Sequence, residues 1–154
     1  MLPETATIHR LLTEAGVRDA HVEDSPKLGA VFRVAPVDTL HALRALKHAD
    51  GGFDFLVDLF GIDTGDAVDV VYHLRSFTRD EDLRVKVEVA YGSALQSVWE
   101  IHPAALMPER ECAEMFGLTL EGHPNPKYLL LTEGSRPMLL KSELIRTAQE
   151  VRNR

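Results

Sequence analysis

The stretch Leu83-Arg84-Val85-Lys86-Val87-Glu88-Val89-Ala90-Tyr91 decides the fold. Leu83, Val85, Val87, Val89 and Tyr91 fall on one side of an extended chain, and Arg84, Lys86 and Glu88 on the other. A period of two predicts a strand in a sheet that is buried on one face and wet on the other. Just upstream, Val68, Val70, Tyr72 and Leu74 repeat the alternation apart from Val71, after the turn residues Asp63-Thr64-Gly65-Asp66. Residues 53–62 form a further strand that alternates only in part, and the charged stretch 75–82 reads as a solvated loop.

Nearer the N-terminus the period changes. Ile8, Leu11, Leu12 and Ala15 lie at i, i+3, i+4 and i+7, the stripe of an amphipathic helix, with Pro3 at its entry and Gly16 at its exit. Two short extended segments, 20–23 and 29–34, flank Asp24-Ser25-Pro26 and predict a hairpin. A second helix over 37–48 is lined by Leu40, Leu43 and Leu46 and stopped by Gly51-Gly52. The order helix, two strands, helix, three strands, with short connections, predicts an α+β domain: a mostly antiparallel sheet with helices packed on one face. An irregular C-terminal segment with a short helix follows. That helix spans 107–116, with Pro108 near its first position, Gly117 just past its end, and Glu109 and Glu111 in its first turn, where negative charge suits the macrodipole. The piece before it, 97–105, reads as short helix or irregular chain, and Gly122-His123-Pro124-Asn125-Pro126 after it as irregular. One domain, 1–133, and a polar, basic tail, 134–154, account for the chain.

Composition excludes several function classes. The 154 residues carry a formal net charge of -7, with Lys and Arg dispersed, so nucleic acid is not an expected partner. The lone cysteine, Cys112, makes no intrachain disulfide and cannot hold an iron-sulfur cluster, which needs about four thiolates. A reducing, cytosolic compartment follows. The N-terminus has neither the basic nor the apolar region of a signal peptide, and no apolar run reaches the roughly 20 residues that span a bilayer. Membrane contact, if any, is therefore indirect.

Catalytic and metal templates are missing: no phosphate-binding glycine loop, no H-E-x-x-H, no cysteine pair and no nucleophile elbow. His41 and His48 stand two turns apart on one helix face, too far to share a metal. Glu111 and Glu114 share a face of the short helix, and Arg110 and Glu114 stand at the spacing of an ion pair. Cys112, Met115 and Phe116 form a core stripe rather than a reactive thiol site. His123 reads as a hydrogen-bonding fixture of a tight loop, while a small hydrolase or isomerase built on Glu111 and His123 is the enzymatic alternative.

The segment 109–130, ERECAEMFGLTLEGHPNPKYLL, resembles the signature of the respiratory complex I 30 kDa subunit family (the C subunit of NADH-quinone oxidoreductase). The matching positions are Glu109, Arg110, Glu111, Glu114, Met115, Phe116, His123, Lys127, Leu129 and Leu130, flanked by Phe116-Gly117 and Gly122-His123-Pro124. The resemblance extends over about 53–141. It departs at Cys112, where many members have an aromatic, at Glu114, where many have Asp, and at Leu106-Met107, where many have an aromatic. The later P-L-R-[KR]-D element survives only loosely as Pro137-Met138-Leu139-Leu140-Lys141. The resemblance implies a scaffold subunit with no catalytic, cofactor or metal site of its own, flavin and clusters lying on partner chains. It implies packing beside a D-type (49 kDa) subunit and the cluster-bearing B- and I-type subunits, peripheral on the cytoplasmic side of the membrane, in a complex passing electrons from NADH to quinone. Related subunits serve membrane-bound [NiFe] hydrogenases and formate hydrogenlyase-type complexes, and a stand-alone binding domain is a further alternative. On this reading Glu109, Arg110 and Glu111 make charge-assisted hydrogen bonds that fix the helix and a partner surface, and the basic tail lies across a neighbour.

Overall fold

The structure is a computed structural model that describes residues 3–26 and 28–141. Helix α1 (Pro3–Glu14) leads into the hairpin β1 (His21–Ser25) and β2 (Gly29–Val34). A 3-10 turn (Pro36–Asp38) opens α2 (Thr39–His48), and the meander β3 (Phe55–Asp63), β4 (Ala67–Ser76) and β5 (Glu81–Ala90) follows. The chain then forms β6 (Ala94–Gln96), a second 3-10 turn (Pro103–Ala105), α3 (Leu106–Phe116) and β7 (Thr119–Glu121).

The main sheet has the order β1-β2-β5-β4-β3. Three of its pairings are antiparallel, as expected, but β2 and β5 run parallel. The connection through α2 delivers β3 in the direction of β2, and two hairpins restore that direction at β5. The alternation of 83–89 holds: Val68, Val70, Tyr72 and Leu74 pair with Val89, Val87, Val85 and Leu83 on the inner face. Ile8 and Leu12 of α1, Ala42, Leu43 and Leu46 of α2, and Cys112 and Phe116 of α3 close the same core, so the helices lie on one face. Tyr91 falls beyond β5, about two-fifths exposed, and its hydroxyl donates to Asp63. The charged stretch 75–82 is not a loop: β4 and β5 run into it and only the turn between Ser76 and Glu81 is free of the sheet.

The outer face differs from a simple wet face. Val31 and Val71 sit on it and are fully buried. They lie among a salt-bridge network on their cross-strand neighbours: Lys86 bridges Glu23 and Asp69 (3.2 Å to the latter), and Arg33 bridges Glu23 (2.9 Å) and Glu88. The hydrogen bond from Lys86 is the main force holding the Glu23 carboxyl down at about 2. Long cationic stems cover apolar surface while their heads pair, which lets a charged pattern conceal two valines.

The region after Gly92 is more regular than the prolines imply. The short strands β6 and β7 pair parallel, joining Ala94–Gln96 to Thr119–Glu121 across α3. Among the described residues no helix is long and apolar enough to cross a membrane. Of the 134–154 tail, residues 134–141 run against the end of α3, where the Met138 and Leu139 amides donate to the Met115 carbonyl and the Lys141 amide donates to Asp63. The remainder, 142–154, lies outside the described residues.

Candidate functional site: the signature helix and its loop

Helix α3 lies on the inner face of the sheet, mainly against β3. The contact needs a glycine: a Cβ on Gly61 would stand 2.5 Å from the Phe116 ring and 3.1 Å from the Cys112 sulfur. A glycine inside a strand marks such a close approach. At the C-terminus Gly117 takes a left-handed φ of 71°, its amide bonded back to Ala113, and Pro137 packs on it.

Glu109 points inward and has no exposed surface. Its Oε1 accepts the Val98 amide at 2.7 Å, and its Oε2 accepts the Ser97 hydroxyl. Burial raises its carboxyl above the ordinary value, against the lowering effect of those two donors. His123 lies 3.8 Å from the same carboxylate. Its Nδ1 accepts the Asn125 amide at 2.9 Å, so the ring hydrogen is on Nε2, which donates to the Leu106 carbonyl at 2.9 Å. The buried histidine thus ties the loop to the first turn of α3. Gly122, at φ 76°, turns the chain into that position, and its carbonyl accepts the Trp99 indole N–H at 3.0 Å.

Arg110 and Glu114 do not pair with each other as their spacing allows. Both reach the loop that follows Pro126. The Arg110 guanidinium donates to the Lys127 carbonyl (2.7 Å) and the Tyr128 carbonyl (2.9 Å). The buried Glu114 carboxylate accepts the amides of Leu129 and Leu130, both at 2.8 Å, and of Leu131 at 3.3 Å. One stretch of helix therefore holds both polarities of the loop backbone, carbonyls through a cation and amides through an anion. These charge-assisted bonds are made within the chain. Glu111 has no part in them: it is exposed and has neither hydrogen bond nor ion pair among the described residues, so within the chain only Glu109 and Arg110 of that triplet hold the helix and its loop.

Of the other signature residues, Phe116 is in the core, whereas Pro124 and Lys127 are exposed, Lys127 serving through its carbonyl. Glu111 and His123 share no hydrogen bond or ion pair among the described residues, His123 being taken up by the Leu106 carbonyl and the Asn125 amide, so the acid/base pairing considered from sequence is not assembled. The Cys112 thiol is buried and pushed up to about 12 by burial, as a core stripe requires. Among the described residues no cluster of three or more His, Cys, Asp or Glu side chains is placed to hold a metal. Sequence reasoning misses Ser97, Gly61 and Asp63. Gly61, a glycine within an apolar run, carries a signal; Asp63 reads only as a turn residue and Ser97 only as the opening of the 97–105 piece, so neither shows its long-range hydrogen bond. Beside the loop, a cavity of about 560 Å³ opens between Arg110, Glu114, Leu120, Lys127, Tyr128 and Pro137.

The model of the family described as respiratory-chain NADH dehydrogenase, 30 Kd subunit, matches residues 32–146. The chain is 40% identical over 92 residues to the NADH-quinone oxidoreductase C subunit of Phenylobacterium zucineum, covering 58% of this chain and 44% of that protein. It is 36% identical over 114 residues to the C subunit of Roseobacter denitrificans, covering 71% and 57%. To the joined C/D subunit of Shewanella woodyi it is 40% identical over 101 residues, covering 58% and 17%. The chain thus spans about half the length, or less, of the curated relatives it matches. Among solved structures it is similar to a chain from the membrane-bound sulfane sulfur reductase, an archaeal respiratory membrane complex, with a TM-score of 0.69 and 20% identity over 87% of this chain and 79% of that one. At that identity the likeness establishes the fold.

Proposed function

This chain belongs to the respiratory-chain NADH dehydrogenase 30 kDa subunit family, and from that premise we propose that it is a scaffold subunit of the hydrophilic arm of NADH-quinone oxidoreductase. It carries no flavin, cluster or quinone site, and supports electron transfer from NADH to quinone that partner chains perform. The observation that carries this reading is the use made of the signature charges. Arg110 and Glu114 hold the backbone of residues 127–131, and Glu109 holds Val98 and Ser97, all within their own chain, which supports a structural role for the signature. On and beside that loop Met107, Leu130, Met138 and Leu139 are each more than half exposed, interspersed with the exposed Lys127, Glu133 and Arg136. Exposed large apolar side chains beside a loop held by charge-assisted bonds support a protein partner.

The D-type (49 kDa) subunit is the first partner, a reading supported by relatives that are named as a joined C/D subunit. The B- and I-type subunits adjoin it. The chain is peripheral on the cytoplasmic side, held at the membrane through the complex.

Affinity capture of the tagged chain from native membranes in mild detergent tests this. Recovery of D-, B- and I-type subunits together with a flavin subunit is the expected result. A nickel-containing large subunit in place of the D-type chain moves the protein to the hydrogenase branch. Recovery of the chain alone at several salt and detergent conditions overturns the scaffold reading.

A further inference from the structure

Helix α3 carries three signature carboxylates, and two of them are consumed within the chain. The third, Glu111, is exposed and has no charged or hydrogen-bonding partner among the described residues. Its surroundings are unusual for a free carboxylate. Met107, Glu111 and Met115 are spaced by four and therefore lie along one stripe of α3. That stripe borders β3, and the groove between them, about 100 Å³, is lined by Phe60, Gly61, Pro108, Met115 and Leu139 with Glu111 as its one charged member among the described residues. Leu139 is held at the rim because its amide and that of Met138 donate to the Met115 carbonyl. Met107, Met138 and Leu139 expose 56%, 62% and 55% of their surface.

A single carboxylate set in an apolar rim constrains what covers it. A wholly apolar partner would strip water from Glu111 and leave an unpaired buried charge, which is strongly unfavourable. A partner that brings a cation to the same spot gains a charge-assisted bond in a drying environment, with the apolar rim excluding water around it. The methionines suit such a contact, since their unbranched side chains adapt to an irregular surface.

We propose that the α3–β3 groove seats an apolar segment of the large D-type subunit, and that an arginine or lysine side chain of that segment pairs with Glu111. This rests on the scaffold reading above and assigns its docking contact. Glu111 is then the signature carboxylate of α3 turned outward, while Glu109, Arg110 and Glu114 build the platform beneath it.

The test uses the full tagged chain expressed in its native host and captured from membranes in mild detergent at rising salt, with the large subunit identified and quantified by mass spectrometry. The wild type retains the large subunit, and Glu100→Gln, at an exposed carboxylate elsewhere, retains it equally. Glu111→Gln weakens retention by about 30-fold, the lower end of what truncating one member of a desolvated pair costs. It also flattens the salt dependence, which a merely structural role would not change. Glu111→Arg abolishes retention. Because α3 starts at Leu106, Glu111 lies beyond its first turn rather than within it, and it makes no polar contact with the described residues of its own chain, so its variants melt close to the wild type. Equal retention by wild type, Glu111→Gln and Glu111→Arg overturns the groove and leaves the scaffold reading standing. A wild type that retains no large subunit overturns the scaffold reading, and the groove with it.

Discussion

Removing Glu109 tests the view that the signature helix is an internal brace. Glu109→Ala deletes a carboxylate with no exposed surface that satisfies the Val98 amide and the Ser97 hydroxyl. Each buried donor left without a partner costs about 1–3 kcal/mol, so the two together cost about 2–6 kcal/mol. A domain of this size has a total stability of roughly 5–15 kcal/mol and loses about 2–4 °C of Tm per kcal/mol, so a central loss of ~4 kcal/mol lowers Tm by about 8–16 °C. Glu109→Gln separates shape from charge. Its amide oxygen still accepts Val98 and its NH2 donates to a rotated Ser97 hydroxyl, so its cost at neutral pH stays near ~1 kcal/mol. The pH dependence has a definite sign. Burial raises the carboxyl of Glu109 in the folded chain above its ordinary 4.5. Its stabilising contribution is therefore fully present below 4.5 and is lost as pH rises through the folded value. The glutamine variant lacks that loss, so the gap between wild type and Glu109→Gln narrows from pH 4.5 to pH 7. Paired thermal and urea melts of the three proteins at both pH values measure this. A Glu109→Ala change of less than about 1 kcal/mol would refute the bracing argument.

Four further outcomes follow from the same geometry. Glu114→Ala frees the amides of Leu129, Leu130 and Leu131, so their hydrogen exchange accelerates at least about tenfold while β4 and β5 stay protected; unchanged exchange contradicts the anion's role. Arg110→Ala releases the Lys127 and Tyr128 carbonyls and lowers assembly and activity of the complex in membranes, and the docking argument fails if both are unchanged. Gly61→Ala pushes a methyl into Phe116 and costs about 1–3 kcal/mol, with partial rescue by Phe116→Leu in a thermal melt. His102 is buried, which depresses its imidazole to about 4; the depressed value gives stability that is present above 6.5 and lost as pH falls towards 4, so His102→Gln flattens the Tm profile between pH 7 and 4.5.

Several features were legible before any tertiary structure. The alternation from Leu83 to Val89 fixed which side of β5 enters the core, because side chains on a strand point alternately to its two faces. Pro108 and Gly117 bounded α3 because proline suits a first turn and glycine a left-handed cap, both local backbone requirements. Ion pairing at the spacing of Arg110 and Glu114 was equally legible and did not occur. Periodicity places two side chains on one face but says nothing of competing partners. Here the competitors are the carbonyls of Lys127 and Tyr128 and the amides of Leu129, Leu130 and Leu131. The parallel pairing of β2 with β5 was hidden for a related reason, since it depends on where α2 sets down β3. The sequence by itself determined the helices, most of the strands, the apolar faces and the family signature, all carried by side-chain types at short spacing. Only the tertiary structure decided that Glu109 turns into the core, Glu114 onto the loop and Glu111 outward, because the donors that hold Glu109 and Glu114 are, apart from the Ser97 hydroxyl, backbone amides, which nearly every residue carries and no side-chain pattern reveals.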